Sequence, residues 1–327
     1  METIKMDGTF IRSAQNRLPD TIVWMNSRCQ PCERSPANDQ PRETNALFSR
    51  WKALYYHPSL ETNGNTMAGS DFNIQFLGTG TSVGIPMIGC RCPVCHSADP
   101  RNRRRRTSVY VSAGETRILV DTPPDFREQA LTFQVPRIDA VVFTHAHADH
   151  VFGFDDIRRF NTMQGEAIPV YAQSETLAEI RRIFNYVETV RRPGIYRPLA
   201  KFCEIAAPFM VGDVRVRPIP VAHGEGQVCG FRFDWGGRAV GIVPDCHHMP
   251  EESVEALRGV DLMVLDALRY VPHATHFTVD ESLDCLRRIG APRAFLIHLC
   301  HDLDHETLRS ELPAGVDVSY DGRVSDV

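Results

Sequence analysis

The sequence His145-Ala146-His147-Ala148-Asp149-His150 places four side chains of metal-binding type within six residues. It follows the apolar run Ala140-Val141-Val142-Phe143, which predicts a buried strand, so the cluster lies on the loop at the carboxyl end of that strand. A single zinc ion rarely takes four ligands from one loop, which favours two adjacent divalent cations. A polar surface loop rich in histidine is the alternative interpretation.

Three further side chains of this kind each follow an apolar run elsewhere in the chain. They are His223 after residues 214–221, Asp245 after 239–243 and His298 after 294–297. Taken singly, each is compatible with a core histidine or a capping aspartate. At the ends of separate strands they supply what a dinuclear centre needs beyond the loop, namely further imidazoles and a carboxylate that bridges the metals.

The chain resembles the metallo-β-lactamase-fold hydrolases in several motifs. These are the H-x-H-x-D-H loop, the glycine-rich turn Phe76-Leu77-Gly78-Thr79-Gly80-Thr81-Ser82, the turn Asp121-Thr122-Pro123-Pro124-Asp125 and the closing His298. Within that superfamily it is most similar to the PhnP-like phosphodiesterases of the carbon–phosphorus lyase pathway, which hydrolyse phosphoribosyl cyclic phosphate. The likeness runs from residue 73 to the C-terminus.

The resemblance implies a four-layered αββα sandwich with a dinuclear centre. The predicted ligands are His145, His147 and His223 for one ion, Asp149, His150 and His298 for the other, and Asp245 as the bridge. We predict phosphodiester hydrolysis in which a hydroxide between two divalent ions attacks phosphorus. Zinc and manganese both suit such ligands. Asp121 is a candidate to orient a ligating imidazole.

A second cluster, Cys90-Arg91-Cys92-Pro93-Val94-Cys95, has the C-x-C-x-x-C spacing that can wrap one tetrahedral zinc. A disulfide interpretation fails because three close cysteines leave one unpaired, and we expect no secretory signal. The resemblance implies His301, three residues after His298, as the fourth ligand. His96 is a rival, although its short tether makes tetrahedral closure awkward. This structural zinc would join the loop after the first strand to the loop of His298.

His276 is the candidate proton donor and, with Asp149, one of two candidate catalytic residues. Thr278 and Glu281 predict a capping box before a helix over 279–289, which places His276 on a loop. The resemblance implies that His276 assists leaving-group departure, because an alkoxide leaves phosphorus poorly unless it is protonated or bound to metal. His273 is the local rival.

Composition predicts a cytoplasmic enzyme. The 327 residues are 43% hydrophobic and carry a formal net charge of −5, which argues against a general nucleic-acid binder. No apolar run approaches the ~18 residues of a membrane span. The ten cysteines indicate a reducing compartment. We therefore expect a small phosphodiester as substrate, no membrane and no nucleic-acid partner, with a homodimer left open.

Residues 1–71 are polar and broken by proline, and we predict a poorly structured extension before a hydrolase domain over 72–327. Within the domain, apolar patterning predicts alternating strands and helices. The predicted strands are 73–77, 108–112, 116–120, 140–143, 168–172, 214–221, 230–233, 238–243, 262–265 and 293–297. The predicted helices are 126–131, 154–162, 174–186, 253–257, 279–289 and 305–310.

Two other functions compete with the phosphodiesterase. A transfer-RNA 3′ processing endonuclease would want a basic, glycine-rich arm, and residues 190–202 are short although they contain Arg191, Arg192 and Arg197. A cofactor-biosynthesis accessory protein is the other, because the pyrroloquinoline quinone proteins share the C-x-C-x-x-C loop. The run Arg101–Arg106 is a solvated face or a phosphate attractor. Pro123-Pro124 and Cys246-His247-His248 depart from the expected pattern, so the natural substrate can differ while the reaction type holds.

Overall fold

Two mixed β-sheets form the centre of this computed structural model, which describes residues 71–189 and 196–327. The described residues form fourteen strands: β1 (Phe72–Gly78), β2 (Ser108–Ala113), β3 (Thr116–Val120), β4 (Ala140–Val142), β5 (Ile168–Ala172), β6 (Ala200–Glu204), β7 (Phe209–Val211), β8 (Val214–His223), β9 (Gly226–Trp235), β10 (Arg238–Val243), β11 (Leu262–Asp266), β12 (Ala294–Ile297), β13 (Val316–Val318) and β14 (Val324–Asp326). Strand order is β14-β1-β2-β3-β4-β5-β6 in one sheet and β13-β12-β11-β10-β9-β8-β7 in the other.

Each sheet is antiparallel at one side and parallel at the other. In the first sheet, β3 to β6 run parallel. In the second, β10 to β13 run parallel, and β8 runs with them because it is antiparallel to β9, which is antiparallel to β10. Parallel strands end at the same edge of a sheet, and residues that follow these strands are therefore brought together.

Helices cover the outer faces of the two sheets. They are α1 (Phe126–Thr132), α2 (Ala148–Val151), α3 (Ile157–Gln164), α4 (Ser174–Ile183), α5 (Glu251–Leu257), α6 (Val279–Ile289) and α7 (His305–Glu311), with short 3-10 turns at Pro100–Asn102 and Phe154–Asp156. Among the described residues no helix has the length and apolar character needed to cross a membrane.

The side-chain period of two along each strand divides the core into three layers. On β3, Ile118 and Val120 face the opposite sheet, whereas Leu119 packs under the first helical layer. On β11, Val264 faces the opposite sheet and Met263 packs under the second helical layer. The predicted αββα sandwich is confirmed.

Most predicted elements are present, with boundaries that differ by a few residues. Prediction missed β6, β7, β13, β14 and the single helical turn α2. It also made β9 too short, since that strand runs over ten residues. The predicted extension over residues 1–71 lies outside the described residues, apart from Asp71, and so do residues 190–195 of the segment 190–202.

Candidate active site

The H-x-H-x-D-H loop begins where β4 ends and closes with one turn of helix. His147 has an extended backbone and stands immediately before α2, so the helical turn brings Asp149 and His150 round beside the two preceding histidines. A loop turn was expected here, and the helix replaces it. His145 and His150 are buried and His147 is exposed, which gives the cluster one face toward solvent.

The first group of ligand atoms comes from His145, His147 and His223, whose candidate ligand atoms all lie within 4.8 Å of one another. His145 Nε2 is 2.8 Å from His147 Nδ1. His223, at the end of β8, donates from Nδ1 to the carbonyl oxygen of Thr275 at 2.7 Å. That hydrogen bond leaves Nε2 of His223 directed to the group.

The second group contains Asp149, His150 and His298. Asp149 Oδ2 is 3.3 Å from His150 Nε2 and 3.7 Å from His298 Nε2. His298 follows β12 directly and has a positive φ of 63°, an unfavourable conformation for a residue with a side chain. The structure maintains this conformation at a residue that belongs to the candidate site, which is where such strain concentrates.

Asp245 lies between the two groups. Its Oδ1 is 3.3 Å from His150 Nε2, and its Oδ2 is 3.9 Å from His145 Nε2. The same Oδ2 is 3.7 Å from the Nε2 atoms of both His223 and His298. One carboxylate therefore faces both groups, as the bridging position predicted from sequence requires. The structure thus brings together all seven predicted ligands.

The unpaired atoms of this cluster fit divalent cations. Nε2 of His150, Oδ1 of Asp245 and both ring nitrogens of His298 are buried and have no hydrogen-bond partner within residues 71–189 and 196–327. Such atoms are costly in a protein interior unless something binds them. Two ligand atoms that share one cation at about 2.1 Å lie about 3.4 Å apart, close to the separations seen around Asp245. The donor set of imidazoles and carboxylates suits zinc and manganese.

Burial and neighbouring charge set the protonation of the cluster. Burial lowers the pKa of His223 to about 4, so its imidazole is neutral and able to ligate at neutral pH. Burial also opposes charge on His298, but Asp245 and Asp149 outweigh it and raise the pKa of that imidazole to about 8. His298 therefore interacts with the carboxylates as a cation when no metal is bound, and a metal would replace its proton.

Two polar side chains fix the ring orientations from behind. His150 Nδ1 donates to Asp121 Oδ2 at 2.7 Å, the role predicted for Asp121. Thr144 Oγ1 donates to the same oxygen at 2.8 Å and accepts from His145 Nδ1 at 2.9 Å. These contacts leave Nε2 of both imidazoles free for the site. Thr144 was not among the predicted residues, although a hydroxyl immediately before the motif is the signal that could have identified it.

His276 lies beside this centre and is buried, unlike His273. The ring of His276 stacks on His298 with centroids 4.6 Å apart, and its Nδ1 is 2.8 Å from Asp266 Oδ2. His273 is exposed and contacts Thr275. Asp266, the last residue of β11, was also missed. Its signal is the one that marked Asp245, a carboxylate at the end of a buried apolar run.

The three cysteines of the C-x-C-x-x-C loop form a group with His301. His301 Nδ1 is 3.2 Å from Cys90 Sγ and 3.5 Å from Cys92 Sγ. Backbone N–H groups of Cys92 and Cys95 donate to the sulfurs of Cys90 and Cys92. This arrangement fits one tetrahedral ion, and the fourth group is His301 rather than His96.

Two arginines of the run after this loop, Arg104 and Arg106, are held by other segments, whereas Arg103 is exposed. Arg104 is 1% exposed and donates to the carbonyl oxygens of Cys300 and Leu303 at 3.0 and 2.8 Å. Arg106 pairs with Asp125 through two contacts of 3.0 and 3.1 Å. The run therefore connects the loops that surround the candidate site.

A family model described as a beta-lactamase superfamily domain matches residues 116–299. The chain belongs to the beta-lactamase superfamily. The match spans the H-x-H-x-D-H loop, Asp245 and His298, so it includes both groups of ligands. Proteins of this superfamily with the metallo-β-lactamase fold bind divalent metals and act as hydrolases, and the ligand groups described above agree with that assignment.

The crystal structure of a diphosphatase from the PhnP family is similar to this chain. It is 37% identical, with a TM-score of 0.72, and the match covers 78% of this chain and 98% of that one. A protein named octanoyltransferase from Porphyromonas gingivalis (strain ATCC BAA-308 / W83) is also 37% identical over 255 residues. This alignment covers 75% of the present chain but half of the octanoyltransferase, so the name describes a protein twice as long as the matched part.

Two more distant structures show the fold alone. Zinc-bound PqqB from Methylobacterium extorquens is 21% identical with a TM-score of 0.64, over 78% of this chain and 100% of that one. The short form of human tRNase Z is 18% identical with a TM-score of 0.57, over 78% and 99% of the two chains. The superfamily and the PhnP-family likeness agree with the resemblance found in the sequence.

Proposed function

We propose that this protein is a dinuclear metal-dependent phosphodiesterase that hydrolyses a small cyclic nucleotide or sugar phosphate diester. The observation that carries the proposal is the meeting of two ligand groups at Asp245, with the Asp266–His276 pair alongside. Such a site combines positions for two cations with a separate proton donor, and these are the parts that phosphodiester hydrolysis needs.

The residues that would hold the metals are the seven ligands already described, with a third ion, zinc, at Cys90, Cys92, Cys95 and His301. When bound, the pair of cations supplies an acidified water and positive charge for the phosphoryl oxygens. The zinc-bound state of PqqB, which shares the fold, supports zinc in this family. The imidazole-rich ligand set is also compatible with manganese.

The side chains behind the ligands keep the centre in a single arrangement. Asp121 and Thr144 hold the rings of His150 and His145, and the Thr275 carbonyl holds that of His223. Each of these contacts occupies Nδ1, so Nε2 is the atom offered to the site. A rigid set of ligands preserves its geometry through the reaction without reorganisation.

The Asp266–His276 pair can deliver a proton to the leaving oxygen. Burial raises the pKa of Asp266 well above its usual range and lowers the pKa of His276 to about 3, so a neutral pair is favoured over an ion pair. The proton between them then belongs to Asp266 Oδ2, and His276 carries its own proton on Nε2. As Nε2–H is donated to the leaving oxygen, Nδ1 takes the proton of Asp266.

Phosphorus is the favoured electrophile because the solved relative that is 37% identical is a diphosphatase. Hydrolysis of a diphosphate and of a phosphodiester both break a phosphorus–oxygen bond beside charged oxygens. The octanoyltransferase name belongs to a protein of which this chain matches half, so it is weaker support for an acyl substrate. An octanoyl thioester is therefore included as a competing substrate in the test.

The test measures turnover of bis(p-nitrophenyl) phosphate, a five-membered cyclic phosphate, an octanoyl thioester and a lactone by purified, metal-loaded protein. We expect release of alcohol or phenol from the two phosphodiesters. Cleavage of the thioester or lactone alone would overturn the phosphodiesterase assignment and leave a hydrolase of different specificity.

The role of His276 is tested with a matched pair of variants. His276→Ala should lower kcat on the phosphodiesters by about 10²–10⁴-fold, because general acid assistance contributes that much. His273→Ala removes an exposed histidine three residues away and should retain turnover. Comparable loss in both variants, or in neither, would exclude His276 as the specific proton donor.

A further inference from the structure

A cleft of about 370 Å³ lies outside the two ligand groups and the cysteine cluster. Its walls include Arg101, His305, Arg309, Asp317, Tyr320 and Arg323. They come from the 3-10 turn after the cysteine loop, from α7, from β13 and from the segment between β13 and β14. No residue of these walls takes part in the proposed hydrolysis.

Two of the three arginines keep hydrogen-bond donors that the described residues do not use. Arg323 contacts Asp317 Oδ2 at 2.9 Å and the Val318 carbonyl oxygen at 3.5 Å, both through one terminal nitrogen. Its guanidinium lies over the Phe295 ring at 4.3 Å, which fixes its plane. The Arg309 guanidinium lies 3.5 Å from Asp317 Oδ1 and 3.9 Å from Glu306 Oε1. The Arg309 side chain makes no hydrogen bond within the described part of the chain.

The third arginine, Arg101, lines the cleft, but its guanidinium is already paired. Arg101 donates to both oxygens of Asp99, at 2.6 to 3.1 Å, and also to Glu306. Its charge is therefore matched by two carboxylates. Arg309 and Arg323 share Asp317, and Arg309 also lies 3.9 Å from Glu306, so the three arginines of the cleft face three carboxylates. What the cleft offers an anion is therefore the unused donors of Arg309 and Arg323.

Two uncharged polar groups complete the cleft. His305 is 1% exposed, yet its Nδ1 has no hydrogen-bond partner in the part of the chain that the structure describes. Its ring lies edge-on to Tyr320, 5.7 Å away, and no described residue forms a hydrogen bond with the Tyr320 hydroxyl. Burial, together with Arg101 and Arg104, lowers the pKa of His305 to about 4, so the imidazole is neutral at pH 7. A buried ring nitrogen without a partner is costly and is commonly matched by a ligand or water.

We propose that this cleft is a second ligand site, which binds a small molecule bearing a phosphate monoester. Arg309 and Arg323 would bind the phosphate, since planar guanidinium groups offer paired donors to its oxygens. Tyr320 would contact the remainder of the ligand, with the buried ring of His305 packed edge-on against it. The cleft volume lies at the lower end of the range for small-molecule sites and exceeds what a bare phosphate fills.

The experiment is calorimetric titration of the metal-loaded protein with phenyl phosphate, with phenol as the uncharged comparator. Because phosphate monoesters also bind dinuclear metal centres, the titration is repeated with His147→Ala, which removes an exposed active-site ligand. We expect binding of phenyl phosphate, and not of phenol, to persist in His147→Ala. Loss of all binding in that variant would overturn the proposal, because the probe would then occupy the metal centre alone.

Variants of the cleft make the test specific. In the His147→Ala background, Arg309→Gln and Arg323→Gln should each weaken phenyl phosphate binding by about tenfold or more, as expected for a lost charge-assisted hydrogen bond. Arg182→Gln is the matched control, because Arg182 is an exposed arginine of α4 paired with Glu179. Unchanged affinity in both cleft variants, or an equal loss in Arg182→Gln, would contradict the proposed site.

Discussion

Arg104 shows how a single buried charge can organise the surroundings of a site. Its guanidinium is held by the Cys300 and Leu303 carbonyl oxygens and by Asn102, and no carboxylate of the described residues forms a hydrogen bond with it. Burial lowers its pKa to about 10, so it remains charged at neutral pH. The segment it binds runs from His298 to Leu303 and therefore carries ligands of both the active site and the cysteine cluster.

Arg104→Met should lower the free energy of unfolding by about 3 kcal/mol, because it leaves two buried carbonyl groups without donors. Guanidinium chloride unfolding measures this change. Arg103→Met is the matched control, since Arg103 is an exposed neighbour in the same run. A loss of less than about 1 kcal/mol in Arg104→Met would show that the carbonyls find other partners.

His305 should make stability depend on pH. Its pKa is lowered from 6.5 to about 4 in the folded protein, chiefly by burial, so folding favours the neutral imidazole. The stability that this group contributes is present above pH 6.5 and is lost as pH falls through 4. Between these limits the wild type should lose on the order of 2 kcal/mol more than His305→Gln.

The measurement is urea unfolding of both proteins at several pH values. His248→Gln replaces an exposed histidine and serves as the control. Parallel stability profiles for wild type and His305→Gln would contradict the prediction, since the buried imidazole would then add nothing to the pH dependence.

The sequence predicted the candidate metal ligands better than the residues that hold the surrounding loops in place. His223, Asp245 and His298 each follow an apolar run, and this shared position, together with the resemblance to the metallo-β-lactamase-fold hydrolases, predicted that they meet at a sheet edge. Arg104 lies within a run of arginines that was expected to be exposed to solvent. Nothing local distinguishes Arg104 from Arg103, because burial of a charge depends on carbonyl groups about 200 residues away.

At the level of elements, the start of α6 positions the loop that carries His276. The Thr278 hydroxyl accepts from the Glu281 backbone N–H, and the Glu281 carboxylate accepts from the Thr278 backbone N–H. The predicted capping box is therefore present. Thr278→Ala should lower the free energy of unfolding by about 1 kcal/mol. Thr278→Ser keeps the hydroxyl and should cost less. Equal destabilisation of the two variants, measured by urea unfolding, would assign the effect to the lost methyl group.

The cysteine loop should connect two distant segments through zinc. Cys92→Ser should remove about one zinc per chain and lower Tm by about 5 °C or more, because a structural ion contributes directly to folding. Elemental analysis and thermal unfolding measure the two effects. Cys203→Ser is the control, as Cys203 lies on β6 outside the cluster. Retention of full zinc content by Cys92→Ser would rule out this ligand set.

At the level of the whole molecule, long strands were predictable and short edge strands were not. The strands β3, β5 and β10 have the predicted bounds because each has five or six residues and is mostly apolar. The strands β7, β13 and β14 have three residues each and lie at or next to sheet edges. β14 forms by pairing with β1, some 250 residues earlier, and no local pattern encodes such a partner.

Metal content per chain tests the central claim most directly, because the proposed activity depends on two ions between the ligand groups, and we expect a third at the three cysteines and His301. Elemental analysis of wild-type protein, loaded with zinc and freed of excess metal, should give about three ions per chain. Cys92→Ser should give about two. One ion or none in the wild type would contradict the dinuclear centre and the hydrolysis proposed from it.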